Sequence, residues 1–307
     1  MEFSADKILM RAPESWSCSL GQAPAMLWRV NHLVTDGFCG QVLVMSDPAC
    51  PIKTGADAMA YQRRILEAAE SVENLHRQKS FKPVMTIQIT EETFPETLEE
   101  ACEIGIRQAV VYLSGISNSF KSGVMDITKI YPALGAAQGC DMTVAFYDQP
   151  LLDPEGLAQD ELFLETLSTI RREFPRLKIV LEHARTAADV NWVINASKES
   201  QNVAATITAH DLLEPSTCVH DREALRRAAI NSFGNFFYGS RRVVSSFSAV
   251  LSNLIEFFSK NNSLPQLEHF ISRYGAEFYG YPINHQKLLF TRIPASNGWG
   301  PRWEVVP

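Results

Sequence analysis

Ser17 and Ser19 stand two residues apart in the strand-like run Ser15-Trp16-Ser17-Cys18-Ser19-Leu20. Side chains alternate faces along a strand, so both hydroxyls point to one side, where two stronger ligands would reach a single metal ion. A neutral hydroxyl is a poor zinc ligand beside imidazole, thiolate or carboxylate, so this pair does not by itself build a metal site. A serine can instead act as a nucleophile when a base is near, and Ser17 with His183 and Asp148 is a candidate set for that chemistry. Cys18 lies between the two serines and so points the other way, toward whatever layer packs behind the strand. The six cysteines (18, 39, 50, 102, 140 and 218) contain no C-x-x-C, which argues against a zinc ribbon or a dithiol redox motif. They are expected to be buried free thiols, packing as small hydrophobes.

These residues need elements to hold them. Short runs, apolar on both faces, lie at 16–20, 41–45, 83–89, 109–113, 142–147, 177–183, 203–208 and 235–239, the pattern of buried parallel strands. Apolar residues at helical spacing lie between most of them, at 55–72, 96–106, 124–137, 157–174, 187–197 and 222–233, with Thr54, Thr186 and Asp221 placed as caps. Eight β-then-α units predict an α/β fold, a closed (β/α)8 TIM barrel with helices outside. Two further helical stretches, 243–260 and 265–274, follow the last strand. No linker, low-complexity tract or internal repeat divides the chain, so residues 1–307 are expected to form a single barrel domain. In such a barrel, chemistry sits at the carboxyl ends of the strands. Those ends carry Ser17 and Ser19, Ser46 and Asp47, Val111, Tyr147 and Asp148, Glu182 and His183, Thr208 and His210, and Ser240 and Arg241.

Composition narrows the partners. The chain has 307 residues, 46% hydrophobic and 21% charged, with a formal charge of −7. Its pI near 5.6 and the absence of a Lys/Arg run or basic amphipathic stretch argue against nucleic acid or an anionic membrane surface. Residues 1–13 carry Glu2, Asp6, Lys7 and Arg11 and lack the apolar core of a signal peptide. No apolar run reaches the ~18 residues of a spanning helix. The expected location is the cytoplasm.

Several stretches resemble the bacterial, type II class of dihydroorotase, in the amidohydrolase superfamily. They are Arg11-Ala-Pro-Glu-Ser-Trp-Ser-Cys-Ser-Leu20, Val44-Met-Ser-Asp-Pro-Ala-Cys-Pro51 and Ala60-Tyr-Gln-Arg-Arg-Ile-Leu66 near the start. Further on come Leu177-Lys-Ile-Val-Leu-Glu-His183, Val203-Ala-Ala-Thr-Ile-Thr208, Phe278-Tyr-Gly-Tyr-Pro-Ile-Asn284 and Arg302-Trp303. The resemblance runs over nearly the whole chain. It implies a zinc amidohydrolase of pyrimidine synthesis that interconverts carbamoyl aspartate and dihydroorotate. Its two metals would be held by a His-x-His pair on strand one, a carboxylated lysine on strand four, histidines on strands five and six, and an aspartate after strand eight.

Carried over residue by residue, those positions fall on Ser17, Ser19, Val111, Tyr147, His183 and Arg241, of which only His183 is the family's residue. Lys129-Ile-Tyr-Pro132 imitates the family's Lys-Leu-Tyr-Pro. An ungapped match from Gly123-Val124 to Met142, however, sets Lys129 on the following helix, facing solvent. The residues that would clamp the substrate carboxylate fall on Gly21, Asp47 and about Ser245, so an anionic substrate loses a guanidinium and meets a carboxylate.

The resemblance therefore implies a dihydroorotase-like protein that has lost zinc and activity, a pseudoenzyme with no cofactor and no catalytic residue, retained for binding or interaction. Its degenerate pocket would comprise Ser17, Ser19, Asp47, Val111, Tyr147, His183 and Arg241, with Arg241 either pairing with Asp47 or Asp148 or holding an anion. The alternative is a hydrolase of cyclic amides with altered or metal-independent chemistry. The partners implied are a second copy in a homodimer, an active dihydroorotase or aspartate transcarbamoylase, with neither nucleic acid nor membrane.

Overall fold

Strand after strand in this chain is buried on both faces, the condition of a parallel sheet covered by helices. The computed structural model describes residues 1–4, 6–36, 40–47, 50–71, 81–114, 123–149, 157–213, 218–231, 234–240, 247–294 and 302–306, with backbone alone at 114, 148–149 and 157–160. Two short strands, β1 (Glu2–Phe3) and β2 (Lys7–Arg11), come first. The barrel strands are β3 (Ser15–Cys18), β4 (Gln41–Val44), β5 (Lys82–Met85), β6 (Ile87–Ile89), β7 (Gln108–Ser114), β8 (Thr143–Gln149), β9 (Lys178–Leu181), β10 (Val203–Ile207) and β11 (Phe236–Tyr238).

β3 pairs with β4 and β4 with β5, while β6 to β11 pair consecutively, all in parallel. β5 and β6 form one strand interrupted at Thr86, whose hydroxyl stitches the break to β4. It donates to the Val44 carbonyl at 2.8 Å and accepts the Ser46 amide at 3.0 Å. The ring closes where the Ser240 amide donates to the Ser17 carbonyl at 2.6 Å and Cys18 bridges to Ser240. Counting β5 and β6 once, eight strands make a TIM barrel.

The helices are α1 (Ala25–Thr35), α2 (Gly55–Glu70), α3 (Pro95–Glu103), α4 (Tyr131–Gly139), α5 (Leu157–Glu173), α6 (Ala187–Glu199), α7 (Ala209–Leu213), α8 (Val219–Ile230), α9 (Phe247–Lys260), α10 (Leu264–Ser272) and α11 (Tyr274–Tyr279). Thr54 caps α2 through the Asp57 amide, and Thr186 forms a capping box with Asp189 on α6. Asp221 does not cap: α8 begins two residues earlier, and the Asp221 carboxylate accepts the Ala187 amide at 2.7 Å, tying α8 to α6. α1 has no counterpart among the predicted helices. Its cap position is Pro24 with no side-chain bond, so no start signal marks it in the sequence. The stretch 265–274 is two helices, broken at Arg273.

Alternation sorts the strand residues into two cores. Val42, Val44, Val111 and Phe146 face outward against Leu98, Ile130 and Leu134 of the helix layer. Leu43, Val110, Ala145, Val180, Ala204 and Phe237 face inward around Trp16, and α11 closes the barrel's amino end with Ala276 and Tyr279. Beyond the barrel, β12 (Lys287–Ile293) pairs antiparallel with β2 and with β13 (Arg302–Val305), and β1 pairs with β2, giving a four-stranded sheet absent from the sequence expectation. No helix among the described residues is long and apolar enough to cross a membrane.

Candidate functional site

The carboxyl ends of β3, β9 and β10 bring four side chains together. Ser17 Oγ lies 3.3 Å from His183 Nε2, and Glu182 Oε2 lies 3.8 Å from the same nitrogen. Thr206, on β10, binds them as a relay: its hydroxyl accepts the His183 amide at 2.8 Å and donates to Glu182 Oε2 at 2.7 Å. His183 sits at a φ of 58°, a left-handed conformation that a non-glycine residue holds only when its surroundings fix it. The Thr206 side chain and carbonyl, the latter accepting the Ala184 amide at 2.9 Å, do that fixing. Gly239 permits the close approach of the neighbouring strands, since a Cβ there would meet the Cβ atoms of Ser17 and Thr206 at 2.9 Å each.

Aromatic rings fill the space beside this cluster. Tyr147 meets the His183 ring edge-on at 5.2 Å, and Tyr112 stands 5.5 Å from Tyr147 with its hydroxyl on the Ser46 carbonyl at 2.5 Å. Burial pushes the Tyr112 hydroxyl far above its usual range, with Glu182, Tyr147 and Asp47 adding repulsion, so it acts as a hydrogen-bond donor and not as an acid. Burial likewise raises the Glu182 carboxyl to about 7, against the lowering effect of Thr206 and Ser17, and leaves Glu182 Oε1 without a hydrogen-bond partner among the described residues.

The sequence expectations fare unevenly. Ser17 and Tyr147 each contact His183; Ser19 is half-buried two residues beyond Ser17, and Asp47 is half-buried after β4. Val111 is a correction. It faces outward into the helix layer, and Val110, one residue earlier, faces the interior together with Tyr112. A one-residue slip on a strand flips the face, so the interior position on β7 is Val110. Lys129 lies on the 3₁₀ turn Ile127–Ile130 leading into α4, exposed and paired with Glu91 at 2.6 Å.

Thr208 and His210 do not enter the site: the Thr208 hydroxyl bonds Asp211 within α7 and His210 is exposed. Arg241, Ser245 and the Asp148 side chain, and with them the expected ion pairs of Arg241, lie outside the described residues. At Gly21, φ 70°, the Arg29 guanidinium from α1 comes so near that a Cβ would meet Nη1 at 2.5 Å. Thr206, Tyr112 and Arg29 were missed because nothing in their local pattern marks them.

The thiol expectation also needs correction. Cys18 is fully buried, facing the helix layer and raised to about 11 by burial, but Cys102 and Cys140 are half-buried and Cys50 and Cys218 exposed.

This donor set does not fit a catalytic zinc, which takes three good protein ligands. The cluster offers one imidazole, one buried carboxyl raised to about 7, and hydroxyls. No group of three or more His, Cys, Asp or Glu that could hold a metal ion occurs among the described residues. Among the described residues, Glu182 does not serve as the acid of a serine-histidine-acid relay: that role needs a carboxylate behind the imidazole on Nδ1, whereas Glu182 lies on the Nε2 side that Ser17 already faces, and the Asp148 side chain of the candidate set lies outside the described residues.

No protein-family profile matches the chain. Among curated proteins it is 30% identical over 94% of its length to a dihydroorotase of Marinobacter nauticus, covering 91% of that protein, and 30% identical over 96% to one of Psychromonas ingrahamii, covering 94%. Its backbone superposes on the crystal structure of Saccharomyces cerevisiae dihydroorotase in complex with 5-fluoroorotic acid with a TM-score of 0.81 and 19% identity, covering 98% of this chain and 99% of that one. It also superposes on an inactive dihydroorotase-like domain of a Chaetomium thermophilum CAD-like multifunctional protein, with a TM-score of 0.62 and 10% identity, covering 97% of this chain and 91% of that one.

Proposed function

The chain belongs to the dihydroorotase family, and from that premise we propose that it is a pseudoenzyme, a barrel that no longer binds zinc or turns over dihydroorotate and serves through binding or interaction. The observation that carries this reading is the pairing at the mouth: Ser17 Oγ, not a second imidazole, faces His183 Nε2. The family's zinc chemistry supplies a metal-bound hydroxide as nucleophile. Here the neighbouring groups are a hydroxyl, a buried carboxyl raised to about 7 and two tyrosine rings, none of which replaces the missing ligands. An inactive dihydroorotase-like domain on the same fold offers a precedent for the scaffold persisting without its reaction. The candidate partners are a second copy of the chain, an active dihydroorotase and aspartate transcarbamoylase, all three proposals from the family.

Purified protein is expected to hold less than about 0.2 zinc per chain and to give no turnover of carbamoyl aspartate or dihydroorotate above background. Near-stoichiometric zinc that tracks with activity would end this reading. The competing reading, a metal-independent hydrolase of cyclic amides, draws on the Ser17–His183 contact. It requires turnover of a cyclic amide in the presence of a chelator, lost in Ser17→Ala.

A further inference from the structure

On the barrel's outer flank, α3 and α4 lie side by side over β7, and each ends in a cysteine. Cys102 is in the last turn of α3 and Cys140 caps the end of α4. The Cys102 thiol points at the Cys140 carbonyl, Sγ to O 3.6 Å, which sets the Cys102 sulfur against the Cys140 residue. Both are half-buried and line a surface groove with Glu99, Glu103 and Arg107, so small solutes reach them. The Arg107 guanidinium donates to the Cys140 carbonyl at 3.0 Å, holding that helix end in place.

We infer that Cys102 and Cys140 form a dithiol modification site that takes a two-electron oxidant of the peroxide class and closes into a disulfide joining α3 to α4. One sulfur, as thiolate, attacks a peroxide oxygen; the O–O bond breaks, hydroxide leaves and takes up a proton, and the sulfur becomes a sulfenic acid. The second thiol attacks that sulfur, the S–S bond forms, the S–O bond breaks and a second water leaves. In sum, two thiols and one hydrogen peroxide give one disulfide and two waters. Burial, Cys102 and Glu99 push the Cys140 thiol up while Arg107 pulls it down. The bridge would close a loop of 38 residues and constrain the unfolded chain accordingly.

The test treats reduced full-length protein with a few equivalents of hydrogen peroxide, alkylates remaining thiols in denaturant and maps the peptides. The expected product is a crosslinked pair containing Cys102 and Cys140, lighter than its two parts by two hydrogens and reversed by dithiothreitol. Oxidation should raise Tm by about 5 °C, a shift absent from Cys102→Ser and Cys140→Ser. Recovery of both residues fully alkylated while the exposed Cys50 has been oxidised would overturn the inference, as would a bridge from either to another cysteine. If a serine variant does not fold, the peptide map of the unaltered chain decides alone, since the crosslink is found there or it is not.

Discussion

Two buried glutamates stand at opposite ends of the barrel, and both carboxyls are pushed up to about 7 by burial. Glu14, at the amino end, is held by amides: its Oε1 accepts the Gln41 side-chain N–H at 3.2 Å and the Gln41 backbone N–H at 3.4 Å, and its own N–H donates to the Ile271 carbonyl at 2.8 Å. Above it Trp16 stacks on Tyr279 at 4.9 Å, and Gly275 leaves so little room that a Cβ would overlap the indole. Glu182, at the mouth, has a threonine hydroxyl, a serine hydroxyl and an imidazole instead. The amino end is a closed floor of rings and amides built for stability. The mouth is assembled from short polar groups of β3, β9 and β10 that bond one another across the strand ends.

The largest test of this contrast is Trp16→Ala, which removes a fully buried ring from the floor. It should lower unfolding free energy by about 3–5 kcal/mol, whereas Ser17→Ala at the mouth should lose less than about 1.5 kcal/mol. Urea denaturation of the two variants measures the gap, and equal losses would break the contrast. The next effect is a pH dependence common to both ends. Each carboxyl is raised from 4.5 unfolded to about 7 folded, so the folded state favours the neutral form. Stability from each is fully present below 4.5, is lost as pH rises from 4.5 to about 7, and is level beyond, a change of about 3 kcal/mol per group. Glu14→Gln and Glu182→Gln should each flatten its own share of that slope, read from denaturation midpoints between pH 4.5 and 8. A slope unchanged in both variants would mean that neither carboxyl is held neutral.

Thr206→Val sharpens the mouth's side of the comparison. It strips the His183 amide and Glu182 Oε2 of their shared partner and should cost about 1–3 kcal/mol. A neutral result would show that the left-handed turn at His183 holds itself. The smallest effect belongs to neither end: Lys129→Ala should leave the denaturation midpoint unchanged within error, because its pair with Glu91 is exposed. Glu91, which this contact and the Met125 and Asp126 amides hold down at about 2, keeps its two backbone bonds in that variant.

The sequence by itself determined the eight two-faced apolar runs and most of the helices between them, because each is written in local periodicity, while the place of Lys129 on a helical turn followed from the resemblance's ungapped register. The family followed from short motifs at both ends of the chain, which are equally local. Tertiary structure alone decided the rest. Val110 rather than Val111 faces inward because strand pairing sets the face, and a run apolar on both sides carries no mark of it. The β2–β12 pairing sets Leu9 against Leu289, and no local pattern announces a partner so far along the chain. Thr206 became part of the site, and Cys102 a neighbour of Cys140, through contacts made only when the barrel closes and its helices dock. Such contacts join residues far apart in sequence, and no spacing or propensity encodes them.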